Sequence, residues 1–243
     1  MSATKAPATA CPLPDVGPEA YARWRSSELG AITDDLQRSL MLRLIGDVSG
    51  KHVLDVGCGD GQLAVELARR GARVTAIDAS QAMIEAAQAR ATAAGASITF
   101  LVGNAQSLPL SASDFDIVVA FTVLCFVEDA AAVFSEIARV MKPGGKLVIG
   151  ELNKWSPWAA QRRIRAWLGS ALWRLGHFRT PQELRQLARD AGLEPSSVTG
   201  AIFYPRSAVA ARLMRRSDAR LGRVTTLGAA FLALVATKPT DWG

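Results

Sequence analysis

Two acids and three glycines stand at a spacing that implies chemistry. Asp55 lies inside the apolar run Val53-Leu54-Asp55-Val56, which passes directly into Gly57, Gly59 and Gly61. A second acid, Asp78, closes the run Arg73-Val74-Thr75-Ala76-Ile77. An acid about 20 residues past a glycine turn suits a pair of hydrogen bonds to ribose hydroxyls. Glycines let backbone pass close to a ligand where a Cβ would obstruct it. A helix starting at Gln62 would offer free N–H groups to an anion or carboxylate. Asp55, at a strand's carboxyl end, is placed to meet an ammonium or a bound water in the crevice at the topological switch point. A phosphate-binding loop would end in Gly-Lys-Ser/Thr, and this turn does not. The competing reading is two surface carboxylates at strand ends.

These groups need a strand, a turn and a helix to hold them. Residues 51–56 read as a short buried strand. Residues 62–70 read as a helix with Arg69-Arg70 in its last turn and Gly71 as its stop. Ser80 caps a helix over 81–94, and residues 97–102 form a third strand. A fourth strand over 117–121 runs into the apolar Thr122-Val123-Leu124-Cys125-Phe126. A helix over 130–141 then leads through Lys142-Pro143-Gly144-Gly145 into a fifth strand over 146–151. Upstream, residues 18–28 predict a short helix with Tyr21 and Trp24 on one face, and residues 33–46 a packing helix with Thr33 as N-cap. Downstream, Thr180-Pro181-Gln182-Glu183 marks a helix entry with a capping box. Strands over 197–203 and 226–237 flank a basic helix over 208–223.

Residues 153–178 are the most individual stretch and contain Trp155, Trp158, Trp167 and Trp173. Ile164, Trp167, Leu168, Ala171, Leu172 and Leu175 recur at helical spacing and predict one apolar face, with Arg162, Arg163, Arg165 and Arg174 off it. Three readings are open: a cap with its arginines in water, an aromatic lid over a flat or greasy substrate, or a helix docking on a membrane surface. His177 ends this stretch and is a candidate general base; Glu151, at the end of the fifth strand, competes for that role.

Taken together, VLDVGCGDG (53–61), AIDAS (76–80), GNAQSLPL (103–110), FDIVVAFTVLCFVED (115–129) and VMKPGGKLVIGE (140–151) resemble the class I S-adenosylmethionine-dependent methyltransferases. Within that family the chain looks most like the small-molecule branch that includes quinone C-methyltransferases, of the ubiquinone/menaquinone-biosynthesis type. A nicotinamide dehydrogenase shares the glycine turn but fits the Leu-Pro-Leu and Pro-Gly-Gly stretches poorly. The resemblance implies an α/β fold: a doubly wound, Rossmann-like, seven-stranded and mostly parallel sheet with a helical lid. It implies S-adenosyl-L-methionine as cofactor. Asp55, Gly57, Cys58 and Gly59 would lie around the methionine moiety, and Asp78 and Ala79 at the ribose. Met83, Asn104, Ala105 and Gln106 would be near the adenine, with Tyr21 and Phe121 at the methionine end. The family's usual residue at position 104 is Asp, whose acceptor role Asn104 keeps through its side-chain oxygen. Many relatives carry His-type polar residues near positions 125 and 126, where this chain is apolar.

A chain of 243 residues suffices for one such domain with a full core. The expected organisation is a disordered tail over 1–17 and one methyltransferase domain over 18–243, with N-terminal helices over 18–46 and the lid over 153–178. Cys11, Cys58 and Cys125 have unrelated spacings and predict reduced thiols with neither disulfide nor metal. No signal pattern or membrane-length apolar run is seen, which predicts a cytoplasmic protein. Charge is uneven: 13 Lys+Arg against 16 Asp+Glu through residue 150, and 15 against 6 beyond it. The basic half raises an anionic partner, yet no nucleic-acid module is recognisable. The expected partner is a small-molecule acceptor, with transient membrane-surface contact and a lipid-headgroup or RNA substrate as alternatives, as is a cofactor-binding module without transfer activity. The chain is expected to act as a monomer or homodimer.

Overall fold

The computed structural model describes residues 17–174 and 176–240. Sixteen of the seventeen residues of the expected tail therefore lie outside the described residues. The first strand, β1 (His52–Val56), is buried at every position, as a strand covered on both faces must be. It pairs in parallel with β2 (Arg73–Asp78) on one side and β4 (Phe115–Phe121) on the other. β3 (Ile98–Val102) extends the β2 side, and β5 (Met141–Leu152) the β4 side. β7 (Phe231–Thr237) then adds antiparallel to β5, and β6 (Glu194–Ala201) antiparallel to β7. The resulting order β3-β2-β1-β4-β5-β7-β6 reverses direction of travel between β1 and β4. That is the switch point, and the carboxyl ends of β1 and β4 open there.

Helices cover both faces. One face packs α2 (Glu28–Ile45), α3 (Gln62–Arg69) and α9 (Ala208–Val224), with Met41, Leu67 and Ala211 in its core. The other packs α5 (Ala130–Val140) and α8 (Pro181–Asp190), with Phe134, Ile137 and Leu184. The short α1 (Pro18–Ser26) precedes α2, and α4 (Gln81–Ala93) follows β2. α6 (Pro157–Trp167) and α7 (Ala171–Arg174) follow β5. The capping box of α8 forms as its sequence requires: Thr180 accepts from the Glu183 amide, and Glu183 from the Thr180 amide.

Four expectations need correction. Thr33 does not cap a helix. Ser27 does, accepting from the Gly30 amide, so α2 begins at Glu28; Thr33 lies inside it and hydrogen-bonds the Leu29 carbonyl and the Tyr204 hydroxyl. Lys142-Pro143-Gly144-Gly145 is no separate turn between helix and strand. Met141 already pairs with Phe115 and Lys146 with Ile117, so the four residues bulge out of one continuous strand. The last strand begins at Phe231 rather than Thr226, because the intervening residues form a loop in which Thr226 and Ala229 carbonyls accept from the Asn153 amide side chain. Finally, the expected apolar face of 153–178 is turned outward. Ile164, Trp167 and Leu168 are exposed, Trp167 at 86%, while Trp158 and Ala159 are buried. The periodicity joined two elements that Gly169-Ser170 separates; the side chains of 171, 172 and 175 lie outside the described residues.

Candidate active site

The glycine turn is fixed from both ends. The amides of Gly57 and Cys58 both donate to the Ile77 carbonyl, tying the turn to β2. Gly57 has φ +68, and a Cβ there would fall 2.3 Å from a Val123 methyl, so only glycine lets the β4 loop close on the turn. Gly59 differs: at φ +52 a Cβ would meet nothing within 4 Å, so its backbone borders open space. Its amide donates to Asp78 Oδ2 at 2.9 Å, while Ser80 donates to Asp78 Oδ1 at 2.9 Å. Asp78 is thus aimed by the turn, with lone pairs left on both oxygens. Asp55 is 1% exposed and its Oδ2 finds no hydrogen-bond partner among the described residues. Burial, with the Asp78 charge adding to it, pushes the Asp55 carboxyl up to about 7. A buried, unpartnered carboxylate beside open glycine backbone fits a ligand that carries an ammonium next to a ribose.

A helix covers this crevice. Arg25 of α1 makes a two-pronged pair with Asp60, which Arg90 of α4 also grips through its side chain and its carbonyl. The pair clamps α1 down so that Tyr21 is half-buried, within reach of the charges of Asp78, Asp60 and Arg25 and of the Cys125 thiol. That burial raises the Tyr21 phenol. Met83 is buried, with its amide donating to the Ser80 hydroxyl. Asn104 Oδ1 accepts from the Gln106 amide at 2.9 Å, closing its own turn. The Gln106 side chain braces the start of α5 by accepting from the Asp129 amide. Ala105 packs against the core, and Phe121 meets Phe231 edge-on at 5.5 Å. Cys58 is buried and its thiol is pushed up by that burial, so it lines the turn as a neutral group.

The far side is built around Cys125. Thr122, at φ +59, turns the chain out of β4 and donates its amide to the Gly150 carbonyl. Glu151 is fully buried; Oε1 accepts from the Leu124 amide at 2.6 Å and Oε2 from the Leu152 amide. Burial drives the Glu151 carboxyl up to about 7, against those amides and the Arg179 charge. The His177 amide donates to the Cys125 carbonyl at 2.9 Å, while its imidazole is exposed. Trp173 stacks on Phe178 at 6.3 Å.

Some residues of the site are not among those expected from the sequence. Arg25 and Asp60 are far apart in the chain, and no local pattern links them. Arg162, read as lying off the apolar face, turns inward between Trp158 and Trp173, 5.5 and 4.7 Å from their ring centres. Trp158 and Arg162 lie four apart on the helix, which was legible as one shared face. Clefts of about 390 Å³ at the amino ends of the strands (Lys51, Asp116, Lys142) and about 260 Å³ beside Trp158 and Arg206 lie away from the glycine turn.

Comparison with known proteins agrees with this geometry. The family described as "Methyltransferase domain" matches residues 54–149. A ubiquinone biosynthesis O-methyltransferase of Xanthomonas axonopodis pv. citri is 34% identical over 163 residues, spanning 65% of this chain and 68% of the relative. One from Idiomarina loihiensis is 32% identical over 162 residues, 64% and 67% of the two chains. Among solved structures, an S-adenosylmethionine-dependent methyltransferase of Thermotoga maritima superposes with a TM-score of 0.70 at 22% identity, covering 90% of this chain and 95% of its own. Magnesium protoporphyrin IX methyltransferase of Synechocystis, solved with bound SAH, gives 0.65 at 21% identity, covering 90% and 92%. At such identities these two speak to the fold alone.

Proposed function

The chain belongs to the class I S-adenosylmethionine-dependent methyltransferases, and from that premise we propose that it methylates a hydroxyl of a small, flat acceptor held between the β4 loop and the helical lid. The observation that carries the cofactor half is the unpartnered Asp55 Oδ2 beside the open backbone of Gly59 and the aimed carboxylate of Asp78. Asp55, Gly57, Cys58 and Gly59 would hold the methionine moiety, and Asp78 with Ala79 the ribose hydroxyls. Met83, Asn104, Ala105 and Gln106 would border the adenine. Tyr21 and Phe121 would close the methionine end. Residues 18–243 act as one unit in this reading, with 18–46 and 153–178 as its two covers.

When bound, S-adenosylmethionine supplies an electrophilic methyl on a sulfonium. The chain's own work is to align an acceptor and exclude water. Trp173 and Phe178, stacked on each other, supply flat apolar surface for a ring. His177, tethered through its amide to the Cys125 carbonyl, takes up the hydroxyl proton. Glu151 has both oxygens engaged by backbone amides and serves to hold the β4 loop in place. The oxygen acceptor is favoured by the names of the relatives, and the basic half argues less strongly for a polyanion: Arg212 and Arg215 of α9 are paired with Glu28 and Asp35 of α2. The test is release of S-adenosylhomocysteine with a panel of catechols, quinols and phenols. Release with flat hydroxyl acceptors supports the reading; binding of the cofactor without release from any of them overturns its acceptor half.

A further inference from the structure

The lid turns an arginine into the molecule and gives it no anion. Arg162 Nε and Nη1 are sealed from solvent and have no hydrogen-bond partner among the described residues. Arg179 Nε, on the strap that follows the lid, is likewise sealed and unpartnered. Neither guanidinium enters an ion pair among the described residues, although ten other arginines and lysines of the chain do. Both lie within electrostatic reach of the Cys125 thiol, in the turn that follows β4, and Arg162 within reach of Tyr21 as well. The Glu151 carboxyl, within reach of Arg179, is engaged by the Leu124 and Leu152 amides. Arg206, over the Trp24 and Trp158 rings at 5.9 and 5.2 Å, adds a further positive charge beside Arg162.

A guanidinium removed from water without an anion is strongly disfavoured, and the usual remedy is a charge-assisted hydrogen bond. Trp158 and Trp173 supply part of the compensation through their ring faces, but ring faces do not satisfy N–H groups. Sealed N–H donors flanked by aromatic faces suit an anionic group carried on a ring that is otherwise apolar. We propose that Arg162 is a specificity residue that binds the carboxylate of an aromatic acid acceptor, with Arg179 supplementing its charge. This deepens the acceptor reading above and rests on it. A neutral ring would leave the Arg162 N–H groups without a charged acceptor, so the chain selects the acid.

The experiment measures binding, with no need for turnover. Wild-type protein saturated with S-adenosylhomocysteine is titrated calorimetrically with 4-hydroxybenzoate, 3,4-dihydroxybenzoate and their amides. Each acid should bind about tenfold or more tighter than its amide, the scale of a charge-assisted hydrogen bond. Arg162→Gln should bring that ratio close to one, and Arg162→Lys should keep part of it. A purely structural Arg162 would weaken acid and amide alike and leave the ratio unchanged, which overturns the proposal. Equal binding of acid and amide by the wild type, or binding of neither, overturns it as well. Failure of S-adenosylhomocysteine itself to bind would instead sink the methyltransferase reading, so the two failures are distinct.

Discussion

Asp78 is held by the fold in the orientation that the proposed ribose contact needs. Its two oxygens accept from the Gly59 and Ser80 amides, which aims the carboxylate across the crevice before any ligand arrives. Pre-aimed acceptors lose little freedom on binding, so each hydrogen bond to a ribose hydroxyl is worth about 1.5–3 kcal/mol. Asp78→Ala should therefore weaken S-adenosylhomocysteine at least tenfold by calorimetry, and an unchanged affinity would remove Asp78 from the ribose. His177 makes a different prediction, because only its backbone is engaged. If its imidazole takes the hydroxyl proton, His177→Ala should lower kcat by about 10²–10⁴-fold while cofactor affinity holds. A loss under threefold would leave transfer to alignment alone. The acids and glycines of this site were legible in the sequence because strand ends and turns have local signatures. Arg162 was not, since its inward turn depends on where Trp158 finds Tyr204, whose carbonyl accepts the indole N–H at 2.7 Å.

At the scale of elements, the same division recurs. β1 to β5 and the helices between them were readable because each is a periodic segment with a stop signal of its own. The start of α2 was misplaced because two capping residues, Ser27 and Thr33, compete within one turn and a half. Ser27 prevails because the Thr33 hydroxyl is drawn to Tyr204, a partner 171 positions away. The cover formed by α1 was legible as a helix, but its attachment was not. Arg25 to Asp60, with Arg90 on the same carboxylate, fastens α1 over the glycine turn. Both partners are largely buried, so removing Arg25 deprives Asp60 of one cation while Arg90 still pairs it. Arg25→Ala should leave the body folded, raise the Kd for S-adenosylhomocysteine by about tenfold through faster release, and increase amide exchange in residues 18–26. Stopped-flow dissociation and hydrogen exchange measure both. Exchange unchanged in α1 would mean that Trp24, edge-on to Trp158 at 6.3 Å, holds the cover without the clamp.

For the whole molecule, the buried acids set how stability follows pH. Burial raises Asp55 and Glu151 to about 7, and raises Asp34, Asp78 and Asp218 as well. Asp116, Glu136 and Glu183 are lowered, so the stability they contribute is lost only in acid, as pH falls below the ordinary carboxylate range. Between about pH 4 and 7 the unfolded chain has released protons that the folded chain still holds on Asp55 and Glu151. Folding then takes up protons, and stability must fall as pH rises through that window. The ligand-free protein should accordingly show a Tm that declines from pH 5 to pH 7.5. In the proposed site S-adenosylhomocysteine works against this slope, because its ammonium would pair with the ionised form of Asp55. Its affinity should strengthen by up to about tenfold per unit as pH rises toward 7. Asp55→Asn separates the two effects: at pH 7.5 it should raise the Tm of the ligand-free chain, weaken S-adenosylhomocysteine and flatten its pH dependence. Calorimetric scans with and without the ligand across this range give all three, and a Tm that rises with pH in the free wild type would overturn the account. An acid that costs the fold stability in the pH range where the ligand needs it ionised is what a binding site built into a buried strand end requires.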